Sequence, residues 1–201
     1  FGGTGMNIFN PALVARAFLF FSYPTSMSGD KVWVAGEQVL GLGYALPDAT
    51  TMATPLGEAA ANLTPSASLS DMVWGFIPGS IGETSVLAIL IGAVILLITG
   101  IASWKTMGSI FVGGAVMALI FNAIGSTVSM TVCPIDHWCL GGFAFGAVFM
   151  ATDPVTSART ETGKYIYGFL VGAMAVIIRV LNPGYPEGMM LAILLMNVFA
   201  P

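Results

Sequence analysis

Thr84–Ile101 reads TSVLAILIGAVILLITGI, a run without a charged side chain, and its length falls in the range of roughly 17–25 residues that crosses a hydrocarbon layer as a helix. Working outward from it, apolar segments recur at Pro11–Tyr23, Met107–Ile124, Trp138–Met150, Tyr165–Leu181 and Gly188–Phe199. Pro11–Tyr23 and Trp138–Met150 would each rise only about 20 Å as helices, so they read as broken or half helices. Broken helices place backbone polar groups in a membrane only where these line a cavity or a ligand. The predicted fold class is all-α: a polytopic membrane helix bundle.

Composition supports this. Of 201 residues, 56% are hydrophobic and 8% are charged, against roughly 25% charged in a soluble domain. Gly (25) and Met (12) are abundant, as expected where helices pack through small and pliable side chains. The net charge of −4 gives no basic footprint for nucleic acid. No signal peptide is legible, and a chain that starts at Phe1 and ends on an apolar segment reads as cut at both ends. Cys133 and Cys139 flank Pro134 and His137 in a spacing that matches no common zinc or iron–sulfur pattern. His137 reads as an interfacial or capping residue, and no metal site is expected.

Short loops rich in Lys and Arg favour the cytoplasm. Lys105 follows the second apolar segment, and Arg159 and Lys164 follow the fourth, so both loops are expected inside. The Pro24–Glu83 stretch then falls outside, with Lys31 against Asp30, Glu37, Asp48, Glu58, Asp71 and Glu83. Short runs also recur in order. Ile8-Phe9-Asn10 returns as Ile120-Phe121-Asn122, Met52-Ala53-Thr54-Pro55 as Met150-Ala151-Thr152-Asp153-Pro154, and Glu83-Thr84 as Glu161-Thr162. The two copies would start on opposite sides of the membrane, which predicts an inverted structural repeat. Residues 1–106 are read as the latter part of a first membrane repeat with an outer loop, and residues 107–201 as a second, inverted one.

Several residues could carry chemistry. In Asp48-Ala49-Thr50-Thr51-Met52-Ala53-Thr54-Pro55, Pro55 biases Thr54 toward an extended conformation, leaving its hydroxyl open to a modifying enzyme; a hydroxyl-rich turn with an Asx bond from Asp48 explains the same run. Asn10 before Pro11 is a favoured helix cap, and with Asn7 it could also hydrogen-bond the edge of a planar heterocycle. Arg16, inside an apolar segment, must face protein, water or an anionic ligand. Phe145, Phe149 and Asp153 recur every four residues, so two rings and a carboxylate would share one helical face; the alternatives are a narrow ion path ending at an acid, or a packing stripe with a turn residue before Pro154. Gly142-x-x-x-Gly146 and Gly168-x-x-x-Gly172 are read as packing seams, and Arg179 as snorkelling to the interface.

Taken together, Gly2-Gly3-Thr4-Gly5, Asn7-Ile8-Phe9-Asn10-Pro11-Ala12-Leu13, Arg16-Ala17-Phe18-Leu19-Phe20-Phe21, Met27-Ser28-Gly29-Asp30-Lys31-Val32-Trp33 and the Asp48-to-Thr54 run resemble the B-type membrane component of the sodium-translocating NADH:quinone oxidoreductases, over essentially the whole chain. The D-type component of Rnf-type ferredoxin:NAD oxidoreductases is a related match, and Met52, where the B-type component commonly has glycine, is similar to those relatives. The resemblance implies an FMN joined by a phosphoester to Thr54, in the pattern Asp-x-x-Ser/Thr-x-Ala-Thr, delivered from FAD by a separate flavin transferase. It further implies a non-covalent riboflavin contacted by Asn7 and Asn10, and a sodium constriction at Phe145 and Phe149 with its acid at Asp153.

The expected function is thus a multi-pass component of a multi-subunit membrane respiratory complex in the bacterial inner membrane, with the Thr54 loop on the periplasmic side. It would pass electrons toward riboflavin and ubiquinone, coupled to Na+ translocation. The NADH site is expected on another polypeptide of the complex, quinone ligands are expected upstream of residue 1, and no catalytic residue is assigned. A cofactor-free channel or carrier is the rival reading.

Overall fold

The computed structural model describes residues 5–23, 33–34, 54–65, 67–80, 82–182 and 187–200. Asp48, Met52, Ala53 and the Met27–Val32 run lie outside the described residues.

Local signals start several of the helices. The Asn10 carboxamide oxygen accepts from the backbone N–H of Ala12 (3.0 Å) and Leu13 (3.3 Å), and Pro11 occupies the first turn of α1 (Pro11–Ser22), where its missing N–H costs nothing. Thr54 and Pro55 repeat that combination at α2 (Pro55–Ala60). In the same polar stretch β1 (Trp33–Val34) pairs antiparallel with β2 (Pro78–Gly79), on either side of α3 (Leu69–Trp74). By its sequence this region is one polar loop, because helices and strands this short have no legible periodicity.

The apolar helices follow. α4 (Val86–Ile98) is capped by Ser85, whose Oγ accepts from Ala88 N–H at 3.3 Å, and it ends before Gly100, which takes φ +70°, a conformation easy only for glycine. The Thr84–Ile101 run therefore yields a helix of 13 residues, about 20 Å long, which corrects the expected full span. Among the described residues, α5 (Trp104–Ile124) and α9 (Glu161–Leu181) are the two helices long and apolar enough to cross a membrane by length and composition. Between them come α6 (Val128–Thr131), α7 (Pro134–Cys139), α8 (Phe143–Phe145) and a π-helical turn, Gly146–Met150. The expected break in Trp138–Met150 is present, at Leu140–Gly142. α10 (Met189–Asn197) closes the described chain.

α5 and α9 pack side by side. A β-carbon on Gly168 would strike Ser109 Oγ and the Thr106 carbonyl, one on Gly172 would strike the Ile110 carbonyl, and one on Gly113 would strike the Phe169 carbonyl. Contacts advance in the same direction on both helices, so the two are parallel, and the Gly168–Gly172 spacing is a seam as predicted. Their starts are tied by charge: Glu161 accepts from Lys105 and, at 2.7 Å, from Lys164. The two basic loops thus share one end of the molecule.

The remaining rods run between that basic end and the opposite one. There the residues after α4 and those after the π-turn line one cavity, and the residues before α1 line another with the end of α10. At the opposite end, Ser129 Oγ on α6 donates to the Ala59 carbonyl of α2 at 2.6 Å, and Leu56 packs with Leu140, Cys139 and Met72. Inside, Ile110, Phe143, Val171, Val176, Met190 and Ile193 belong to the largest buried cluster among the described residues. Outside, Leu90, Ile91, Val94 and Ile95 on α4, Val112 and Leu119 on α5, and Ile166 on α9 are exposed. An apolar exterior of this extent suits lipid and not water.

Candidate functional site

Thr54 sits at the end opposite the basic loops, half-buried. Its Oγ1 accepts from the Gly57 N–H at 3.0 Å, so the hydroxyl caps α2. Capping uses a lone pair, and an ester at the same oxygen would still leave one. The extended backbone that Pro55 predicts is present, at φ −66° and ψ 150°.

Asn7 lies at the basic end, on a cavity of 560 Å³ lined also by Thr156, Ser157, Arg159, Thr160 and Asn197. It is large enough for a small polycyclic ligand, and its lining mixes amide, hydroxyl and guanidinium groups with apolar walls. Asn10 is not on that wall; its side chain is engaged in capping α1. The structure thus parts the two asparagines. Asn197 lines the same cavity and is missed by sequence reasoning. It is fully buried, and its carboxamide oxygen accepts from Tyr167 Oη at 2.8 Å. A lone amide in the apolar run of α10 is the available signal.

Phe145 and Phe149 meet with ring centroids 5.0 Å apart at 47°. The backbone under them is not α-helical throughout: Ala151 N–H bonds the Gly146 carbonyl at 2.8 Å, an i→i+5 closure of the kind found at functional sites. Asp153 falls beyond it, in a turn, where its carboxylate accepts from Thr156 Oγ1 (2.8 Å) and Val155 N–H (3.3 Å). A common α-helical face for all three residues is corrected: the rings are together, and the acid belongs to the turn that borders the Asn7 cavity through Val155 and Thr156.

Arg16 pairs with Glu187 at 3.0 Å, the side chains being 34% and 24% exposed. Intramembrane bases are expected to find such partners. The ion pair ties α1 to the approach of α10.

Arg179 does not snorkel. It is 3% exposed, and its guanidinium donates to the carbonyls of His137 (2.7 Å) and Leu140 (3.0 Å) and lies over the Phe143 ring at 5.8 Å. These carbonyls belong to the end of α7, where helical partners run out. His137 is itself 2% exposed, with Nδ1 3.5 Å from Arg179 Nη1, so it is neither interfacial nor a cap. Facing a donor, Nδ1 must accept, which puts the ring proton on Nε2. Burial, and then the Arg179 charge, push the imidazole down to about 3. Nearby Glu83 accepts from Ser80 N–H at 3.2 Å, and burial, with the Glu187 charge adding, raises its carboxyl above the ordinary range.

Fold and site together define a helical protein of membrane type, with a polar cavity at its basic end and a capped threonine at the other. The chain belongs to the NQR2, RnfD, RnfE family, which matches it over residues 1–201. It is 53% identical over 203 aligned residues to the B-type component of the Na(+)-translocating NADH-quinone reductase of Chromohalobacter salexigens, covering 100% of this chain and 48% of that protein. It is 50% identical to the protein of the same name from Azotobacter vinelandii and 49% identical to that from Pseudomonas aeruginosa, each over 100% of this chain and 49% of the relative. The chain spans about half the length of the curated relatives it matches.

Proposed function

We propose that this chain is the flavin-bearing part of the B-type component of a sodium-translocating NADH:quinone oxidoreductase, in the bacterial inner membrane with the other subunits of the complex. The carrying observation is Thr54: a threonine in the run Asp48-x-x-Thr51-x-Ala53-Thr54, within a chain about half identical to proteins of that name. Transfer from FAD is balanced without a base on this chain. Thr54 Oγ1 forms a bond to the flavin-side phosphorus, the pyrophosphate bond breaks, AMP leaves, and the hydroxyl proton passes to the separate flavin transferase.

Flavins, when bound, supply one- and two-electron redox chemistry. The residues of this chain fix their placement. Thr54 anchors FMN at the end taken as periplasmic, and Asn7 offers its amide to riboflavin in the cavity at the basic, cytoplasmic end, on the route toward ubiquinone. Asn10 acts there through the cap that fixes the start of α1. Phe145, Phe149 and Asp153 form the Na+ path. The polytopic bundle and its inverted repeats, residues 1–106 and 107–201, are part of this reading; rods that alternate in direction support it.

The names of the relatives favour the B-type component over the D-type component of an Rnf complex. A cofactor-free channel or carrier makes a different prediction about colour. The test is in-gel flavin fluorescence of the denatured polypeptide. Fluorescence that migrates with the chain and disappears in Thr54→Ala supports the proposal, and a colourless chain favours the carrier.

A further inference from the structure

We propose that the basic end of the α5–α9 seam is a binding site for one anionic glycerophospholipid, its acyl chain in an apolar groove and its phosphate in the adjoining basic pocket. The groove, of 600 Å³, runs along the outer surface and is lined by Trp104, Gly108, Val112, Tyr165, Phe169 and Leu170, with almost no polar atoms. Val112, Ile166 and Leu170 beside it are exposed, so it opens on the face given to lipid. The second pocket, of 490 Å³, shares Trp104 and Lys105 with the groove and adds Arg159, Lys164 and Glu161. The two cavities therefore adjoin at Trp104 and Lys105, one lined by hydrocarbon and the other charged.

Charge complementarity selects the occupant. Three bases face one acid in the pocket. Glu161 is shared by Lys105 and Lys164, and Arg159 forms no ion pair among the described residues, which leaves an excess of two positive charges. Trp104 and Tyr165 meet edge to face with centroids 6.4 Å apart, and Lys105 Nζ lies 5.8 Å from each ring. Amphipathic rings beside a base mark the depth of headgroups, and basic pockets between helices at the cytoplasmic side are suited to acidic lipid. A soluble anion would leave the groove unused, and an uncharged apolar molecule would leave the bases unanswered. The inference rests on the membrane placement proposed above and not on the flavin.

The test is native mass spectrometry of the purified complex containing the full-length polypeptide, titrated in neutral detergent with dioleoyl phosphatidylglycerol or dioleoyl phosphatidylcholine. Phosphatidylglycerol should bind about tenfold more tightly or better, and the double variant Arg159→Gln, Lys164→Gln should lose that preference. A β-carbon at Gly108 meets nothing within 4 Å, so Gly108→Leu keeps the fold while filling the groove, and should weaken both lipids several-fold at unchanged flavin content. Equal affinity for the two lipids, indifference to Gly108→Leu, or a photo-crosslinker at Val112 that captures a neighbouring polypeptide instead of lipid would each overturn the proposal. A flavin-free protein that still discriminates the lipids would count against the electron-carrier reading alone.

Discussion

Arg179 Nη1 stands 2.7 Å from the carbonyl oxygen of His137, and this bond fastens the long helix α9 to the broken element that carries Phe145 and Phe149. With the companion bond to Leu140, one buried guanidinium satisfies two carbonyls where α7 ends. Arg179→Met should therefore destabilise the protein by about 3 kcal/mol or more, since it leaves buried acceptors without donors. Arg179→Lys should recover only part of this, because an ammonium lacks the planar fork. Thermal unfolding in detergent measures both.

His137 predicts an acid-sensitive stability of defined sign. Its folded-state value near 3 lies below the ordinary 6.5, so the unfolded chain binds the proton first as pH falls. Stability is full above pH 6.5 and falls between there and about pH 3, by about 2 kcal/mol on reaching pH 5. Glu83, with its carboxyl raised by burial, works the other way, since the folded state takes up its proton first. Comparing melting at pH 7 and pH 5 should show a smaller acid loss in His137→Gln than in the parent; an equal loss would assign the acid sensitivity elsewhere.

The α5–α9 seam should tolerate no side chain. Gly172→Leu would drive a branched chain into the Ile110 carbonyl and is expected to abolish accumulation of the folded protein, whereas Gly108→Ala, on the open side of α5, should accumulate normally. Membrane-fraction immunoblots separate the two.

How far the sequence discloses this molecule depends on how local each signal is. The cap at Asn10, the Gly168–Gly172 seam and a break within Trp138–Met150 are legible because neighbours in sequence produce them. The fate of Arg179 is not, since its partners lie about forty residues away and snorkelling and burial look alike in a helix-end arginine. Hydropathy overstates the length of α4 because it counts Thr99-Gly100-Ile101 as apolar while the backbone leaves the helix there. For the candidate site, spacing by four brings Phe145 to Phe149 but fails for Asp153, because the helical backbone ends at Met150 and Asp153 falls in the turn beyond it. Asn7 is legible as an amide near a helix start, and its cavity is not, since Arg159 and Asn197 reach it from other elements.

For ion coupling, the turn formed by Asp153 and Thr156 is the element to perturb. Asp153→Ala in the assembled complex should lower Na+ transported per electron while NADH oxidation continues, and Thr156→Ala, which removes only the hydroxyl that orients the carboxylate, should have the smaller effect. Transport per electron unaltered in Asp153→Ala would remove this acid from the path.

The decisive measurement is tandem mass spectrometry of the peptide that contains Asp48 through Thr64, taken from complex matured in a host expressing the flavin transferase. The expected result is an added FMN mass whose fragment ions localise it to Thr54. A peptide recovered with Thr54 unmodified under those conditions would contradict a covalent flavin on this chain.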